Sequence, residues 1–360
     1  MQLYGGGLWH TWFDRDLTLA GKIIMANPTT GGYSTKYWRC NEAILKVPNL
    51  AIHLTDRSGV FEPNKEAHTK PILSTSIIDQ LFAGAKQEGE ETYKCDEKHL
   101  KSLLDRIGSD LGVDPKNIVD FELNVVDTQP AALVGLHKEF VSSPRLDNLG
   151  SSLVALDAII ECQPADDAEV SMIMLFDHEE VGSQSAQGAD SNMAVEVTTR
   201  IFESLSPNPG NQSEYYRAIR QSFLVSADMA HGLHPNYQEK HQPQHAPKIH
   251  QGIVIKNNAN QRYMTDVIGS SIIRAVASKA DPSPVPLQDF MVKNDSLCGS
   301  TIGPMMAAKA GIKTVDIGGP MLGMHSIRET CGVIDLVHYR RLFVSFFKNY
   351  SKIPIELLSE

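Results

Sequence analysis

Polar and apolar positions fall into two textures along the chain. Up to about Ala132, apolar residues come in short alternating runs separated by turn formers, the pattern of β-strands. Leu17–Met25 and Leu50–Leu54 are expected as strands, with turn signals at Asn27-Pro28 and Gly31-Gly32 between them. Residues 55–95 are polar and weakly periodic, which predicts loops and one helix near Ile77–Phe82. From about Lys138 helical and strand patterns alternate. Asn148 is placed to cap a helix whose apolar face carries Leu153, Leu156 and Ile160. Val170–Phe176, nearly continuous in apolar residues, predicts a buried strand, and Phe223–Ser226, Phe290-Met291-Val292 and Lys313–Ile317 predict three more. Helices are expected over Met193–Leu205, Val267–Ala277, Met305–Ala310 and Leu336–Phe347. Strands alternating with helices predict an α/β sandwich around a mostly parallel sheet, preceded by a β-rich segment. No internal repeat or low-complexity tract interrupts the pattern.

Composition narrows the function. The 360 residues are 42% hydrophobic and carry a formal net charge of −10, which argues against general nucleic-acid binding. No apolar run is long enough to span a bilayer, and the first twenty residues do not have the form of a signal peptide. The five cysteines, Cys40, Cys95, Cys162, Cys298 and Cys331, form no CxxC pair, so a reduced chain in the cytoplasm is expected.

Ligand sites in open α/β sheets lie beyond the carboxyl ends of strands. Four such places carry carboxylates or histidines: Asp147 before the helix near 151, Glu179 and Glu180 after Val170–Phe176, Asp228 after Phe223–Ser226, and His325 after Lys313–Ile317. Oxygen and imidazole donors of this kind suit zinc, manganese or cobalt. Two metals sharing a carboxylate would activate a water, and a carboxylate off the metal would serve as general base. Adjacent glutamates can divide these tasks, with Glu180 as ligand and Glu179 facing the water. His178-Glu179-Glu180 does not continue as HExxH, because the fifth position is Gly182. There is no GxSxG elbow. Cys298 is read as a turn residue, and His241, His245 and His250 as a polar loop. An isolated Asp after a strand is more often a helix cap than a ligand, so the residues alone reach a metallohydrolase and stop there.

The strings Trp12-Phe13-Asp14-Arg15-Asp16-Leu17, Asp127-Thr128-Gln129-Pro130, Pro144-Arg145-Leu146-Asp147-Asn148, Glu179-Glu180-Val181-Gly182-Ser183, Ser226-Ala227-Asp228-Met229-Ala230-His231 and Met324-His325-Ser326-Ile327-Arg328-Glu329 occur in the order found in aspartyl aminopeptidases. The resemblance covers essentially the whole chain. It implies a three-layer α/β/α zinc-exopeptidase-like catalytic domain over 137–360 and a β-rich dimerisation and lid domain over 1–136. It implies two zinc ions per active site, with Asp147 bridging them, Glu180 and His325 on one, Asp228 on the other and Glu179 as general base. His231, Lys256 and Tyr263 match the positions that line the pocket for the acidic side chain, and His53 matches a histidine supplied to a neighbouring subunit. The substrates so implied are peptides with N-terminal Asp or Glu, and the assembly is a homo-oligomer, a dodecamer built from dimers.

The family also has an upstream His-x-Asp motif whose histidine ligates one zinc, and no residue here matches it. The second metal, left with Asp147 and Asp228, is therefore expected to bind weakly. The alternative that follows is a truncated assembly subunit of low activity. A further alternative is another binuclear hydrolase, a carboxypeptidase or deacylase.

Overall fold

The computed structural model describes residues 1–55, 61–82, 99–162 and 169–353. Cys95 and the rest of the 83–98 stretch lie outside them. The chain divides into two compact units: Met1–Leu3 with Leu8–Pro130, and Tyr4–Gly7 with Ala131–Glu360.

The first unit is built on an antiparallel sheet of β1 (Asp16–Ala26), β2 (Tyr33–Arg39), β3 (Leu45–Lys46) and β4 (Ile118–Asp127), with β1 pairing all three others. Strict alternation along β1 sends Leu17, Leu19, Ile23 and Met25 inward. Gly21 opposes Leu123 so closely that any Cβ there would collide with the Glu122 carbonyl. Between β3 and β4 come α1 (Ser76–Phe82) and α2 (Lys101–Leu111). Helix α2 buries Leu104 and Ile107 and ends on Gly112 in the left-handed region, with Val113 N–H returning to the Gly108 carbonyl at 2.9 Å. The Trp38 indole N–H donates to Asp110 at 3.0 Å and ties β2 to α2. The expected strand at Leu50–Leu54 is instead a 3-10 turn over Ile52–Leu54, because both ends of this short run are exposed and nothing pairs with it.

The second unit contains β5 (Ala132–Val134), β6 (Phe140–Ser143), α3 (Leu146–Glu161), α4 (Met193–Leu205), α5 (Gln212–Gln221), β7 (Phe223–Ala227), β8 (Ala230–His231) and β9 (Ile253–Lys256). It continues with α6 (Val267–Ser278), β10 (Leu287–Phe290), α7 (Gly303–Ala310), β11 (Lys313–Gly318), β12 (Pro320–Leu322), β13 (Glu329–Gly332) and α8 (Val333–Asn349). One sheet runs β10-β9-β11-β7, with β10/β9 and β11/β7 parallel and β11/β9 antiparallel. The other runs β5-β6-β13-β12-β8. The fold is α/β. Its main core joins Ile253, Ile255, Ile272, Ile273, Val315 and Ile317 with Tyr339, Leu342 and Phe343 of α8. Ile317 is 0% exposed. Truncating it to alanine is expected to lower the unfolding free energy by about 2–5 kcal/mol, read by urea denaturation, since transfer and cavity costs add at a site that cannot collapse.

Four expectations fail here. Val170–Phe176 forms no strand: Val170 and Leu175 are exposed, while Met174 and Phe176 pack with Ala189, Ala194, Met306 and Leu224. An apolar run specifies burial but not a ladder partner, and this one has none among the described residues. Helix α3 also faces the other way. Its buried side is Leu146, Gly150, Ser151, Val154, Ala155 and Ala158, whereas Leu153 and Ile160 are 67% and 69% exposed. This side of small residues faces the core, where Gly150 lies beside Met229 and Leu336 of α8. Nor does Asn148 cap the helix; its side-chain amide donates to the Ala227 carbonyl at 2.7 Å and so ties α3 to the end of β7. The strand expected at Phe290-Met291-Val292 ends at Phe290.

Candidate metal centre

The side chains that come together in the second unit arrive on four separate turns. Asp147 sits at the irregular start of α3, where Arg145 is left-handed and the Asp147–Asn148 peptide is cis. Glu179 and Glu180 occupy a 3-10 turn (Glu179–Val181) held between left-handed His178 and Gly182. Asp228 directly follows β7. His325, also left-handed, lies in the turn after β12, closed by Ser326 N–H donating to the Gly323 carbonyl at 2.9 Å.

His325 Nε2 lies 3.5 Å from Asp147 Oδ2 and 3.4 Å from Glu180 Oε2. One ligand atom from each of the three falls within 4.8 Å of the others, and no second such cluster occurs among the described residues. Gly6 supports the histidine from behind, its carbonyl 3.2 Å from Nδ1. A proton on Nδ1 donated to that carbonyl leaves Nε2 as the ligating nitrogen. Asp147 faces a second carboxyl group, that of Asp228, with a hydrogen bond between them. Lys256 Nζ lies 3.3 Å from Asp228.

The electrostatics are those of a site short of positive charge. Burial pushes the Glu179 carboxyl up to about 7, reinforced by Glu180 and Asp147 and opposed by Lys256 and His325. Burial and then Asp147 raise Glu180. Asp228 is raised well above the usual carboxylate range, first by burial, against the pull of Lys256. Burial would also raise Asp147, but hydrogen bonds with His325 and Asp228 and the Lys256 charge outweigh it and hold the group low. The hydrogen bond to Asp147 lifts His325 to about 9 against burial, with Glu180 assisting. Four carboxyl groups so close cannot all ionise without cations among them. The donors are imidazole and carboxylate, which zinc accepts, so the residues fit zinc.

Next to the metal residues, Lys256 ends β9 at 3% exposure and lies 5.4 Å from the centroid of the buried Tyr263 ring. Phe290 stacks near both Tyr263 and His231. Desolvation and the Lys256 charge lower the His231 pKa, and burial raises that of Tyr263. Fully buried Asp316 fixes the Tyr263 loop by accepting from Met264 N–H at 2.5 Å and from Thr301 Oγ at 2.6 Å. Cys298 packs against this cluster. The other histidines of the polar loop are engaged separately, His241 accepting from His234 N–H, His245 beside Gln242, and His250 beside the Glu139 carbonyl. His53 is exposed on the 3-10 turn of the first unit.

One residue of this centre had been given no role. Glu329, 2% exposed, opens β13, and its two oxygens accept from Asp147 N–H at 3.0 Å and His325 N–H at 2.6 Å. Burial pushes it up to about 7. Its signal in the sequence was a carboxylate within the motif already noted for His325.

An α/β fold with this donor set defines a metallohydrolase. Residues 1–347 match the family described as Aminopeptidase I zinc metalloprotease (M18). A protein of Ricinus communis named "Probable aspartyl aminopeptidase" is 44% identical over 99% of this chain and 76% of its own length. The "Aspartyl aminopeptidase" of Aspergillus oryzae is 45% identical over 98% of this chain and 75% of its own. Among solved structures, a chain in the "Cryo-EM structure of the Ape4 and Nbr1 complex" superposes with a TM-score of 0.86 at 41% identity, covering 98% of this chain and 66% of that one. The "Crystal structure of prApe1" gives 0.87 at 27% identity, over 97% of this chain and 72% of that one. This chain belongs to the M18 family, and with it to the zinc metallo-aminopeptidases. It spans about three quarters of the length of its curated relatives. The carboxypeptidase and deacylase alternatives are thereby set aside, and the alternative of a weakly active assembly subunit is not favoured.

Proposed function

We propose that this chain removes Asp or Glu from peptide N-termini at a two-zinc centre. The observation that carries the proposal is the convergence of Asp147, Glu180 and His325 with Asp228 across Asp147 and Glu179 beside them. Asp147 would bridge the two ions, Glu180 and His325 would hold one, and Asp228 the other. When bound, zinc supplies a Lewis acid for the scissile carbonyl and lowers the pKa of an attacking water. Glu179, not needed as a ligand, accepts the water proton and returns it to the departing amine.

Lys256 would recognise the acidic side chain. Its ammonium lies 3.3 Å from Asp228. A metal on Asp228 would free it to hydrogen-bond a substrate carboxylate, with His231 and Tyr263 as further donors. The names of the castor-bean and Aspergillus relatives support this specificity. His53 is proposed to enter the site of a neighbouring subunit in a homo-oligomer of dimers. The solved "S. cerevesiae mApe1 dodecamer", 25% identical to this chain, supports such an assembly. No helix among the described residues is long and apolar enough to cross a membrane.

Metal content per chain and hydrolysis of matched aspartyl and leucyl peptides test the proposal together. Tightly bound zinc and a higher kcat/KM for the aspartyl peptide are expected. Lys256→Met should cut the aspartyl value by roughly 10- to 100-fold, the worth of a hydrogen bond to a charged group, and spare the leucyl one. A leucyl preference in the parent enzyme would sink the specificity.

A further inference from the structure

Building on the proposed metal site, we infer that Glu329 is the positioning residue that sets the spacing of the two ligand segments before any metal arrives. Asp147 and His325 come from distant parts of the sequence and meet at two turns, which Arg328 also links by donating to the Ser142 carbonyl at 3.0 Å. Glu329 lies between them. It pairs in register with Ser143 of β6, four residues before Asp147, and opens β13 four residues after His325 in the preceding turn. Its strand is the middle one of five, so the backbone beneath it is fixed on both sides. From there one carboxylate accepts both ligand-bearing N–H groups, one on each oxygen.

The geometry demands a carboxylate. Each N–H needs an acceptor, and only an ionised carboxyl offers one on both arms without also presenting a donor. A glutamine has the same shape but would turn an NH2 group toward one of the two N–H groups. Either the Asp147 or the His325 segment would then be repelled, and the 3.5 Å approach of their side chains would open. The His325 side is the more exposed to such a change, since its backbone is left-handed and its N–H makes the shorter of the two bonds. Outer partners of metal ligands act in this way, by orienting groups that themselves touch the ion.

The test is zinc affinity of the full chain by competition with a chromophoric chelator, with melting temperature measured on the metal-free protein in parallel. Glu329→Gln is expected to weaken zinc by about 10- to 100-fold. Glu329→Asp, which keeps the charge but not the reach, should also weaken it. Ser345→Ala serves as the comparison: it removes a buried hydrogen bond from α8 to the Val276 carbonyl and should lower the melting temperature with zinc affinity unchanged. Wild-type affinity in folded Glu329→Gln or Glu329→Asp, or a loss matched by Ser345→Ala at equal destabilisation, would overturn the inference while leaving the metal site intact. A parent chain that binds no zinc would remove the metal site itself and the inference with it.

Discussion

Glu179→Gln is expected to lower kcat for an aspartyl peptide by about 10²–10⁴-fold, the usual contribution of a positioned general base, while zinc stays bound. The amide has the size of the carboxyl but cannot take a proton from water. Glu179 makes no ligand contact in the Asp147, Glu180 and His325 cluster, so removing its charge leaves the donors in place. It also relieves repulsion, because Glu180 and Asp147 both disfavour its ionisation. The variant should therefore melt no lower than the parent, which separates loss of chemistry from loss of fold. Turnover kinetics with metal analysis on the same sample decide the matter. Parent-like kcat in a zinc-loaded variant would mean that another group takes the proton.

Asp147→Ala should abolish activity by a different route, loss of metal. Asp147 is the one carboxylate that faces His325 and Asp228 together. Its loss removes a ligand from both proposed ions, so zinc affinity should fall by more than the roughly 10- to 100-fold expected for outer partners. Zinc content after dialysis should drop toward none, with turnover falling in parallel. Retention of the parent's zinc content would show that Asp147 is not a ligand.

How much of this was legible beforehand depended on what each pattern encodes. Helix α4 and strands β1, β7 and β11 follow directly from periodicity, because each has one face to bury or is buried throughout. Helix α3 did not, although its period was right. Hydrophobicity favoured the leucine side as the inner one, but the core receives Gly150, Ser151, Ala155 and Ala158. Interhelical distance, which rewards small residues, is not written in a hydropathy pattern. Val170–Phe176 erred in a related way, since strand formation depends on a partner and not on the run itself. The candidate metal residues were visible as polar groups following apolar segments, and the family resemblance sorted them into roles. Glu329 was not, because its task is to accept backbone N–H groups 4 and 182 residues away, and side-chain motifs carry no trace of such bonds.

Gly6 touches His325 although 319 residues separate them, and the four residues around Gly6 belong to the unit that otherwise begins at Ala131. During synthesis, then, this short piece must wait for its partner until the 319 residues that separate it from His325 have been made. At translation rates of about 5–20 residues per second, that stretch takes roughly 16 to 64 seconds. Until then Asp147, Glu180 and Asp228 exist without the His325 imidazole, so a ribosome-bound chain carries the acids of the proposed centre but not the centre itself.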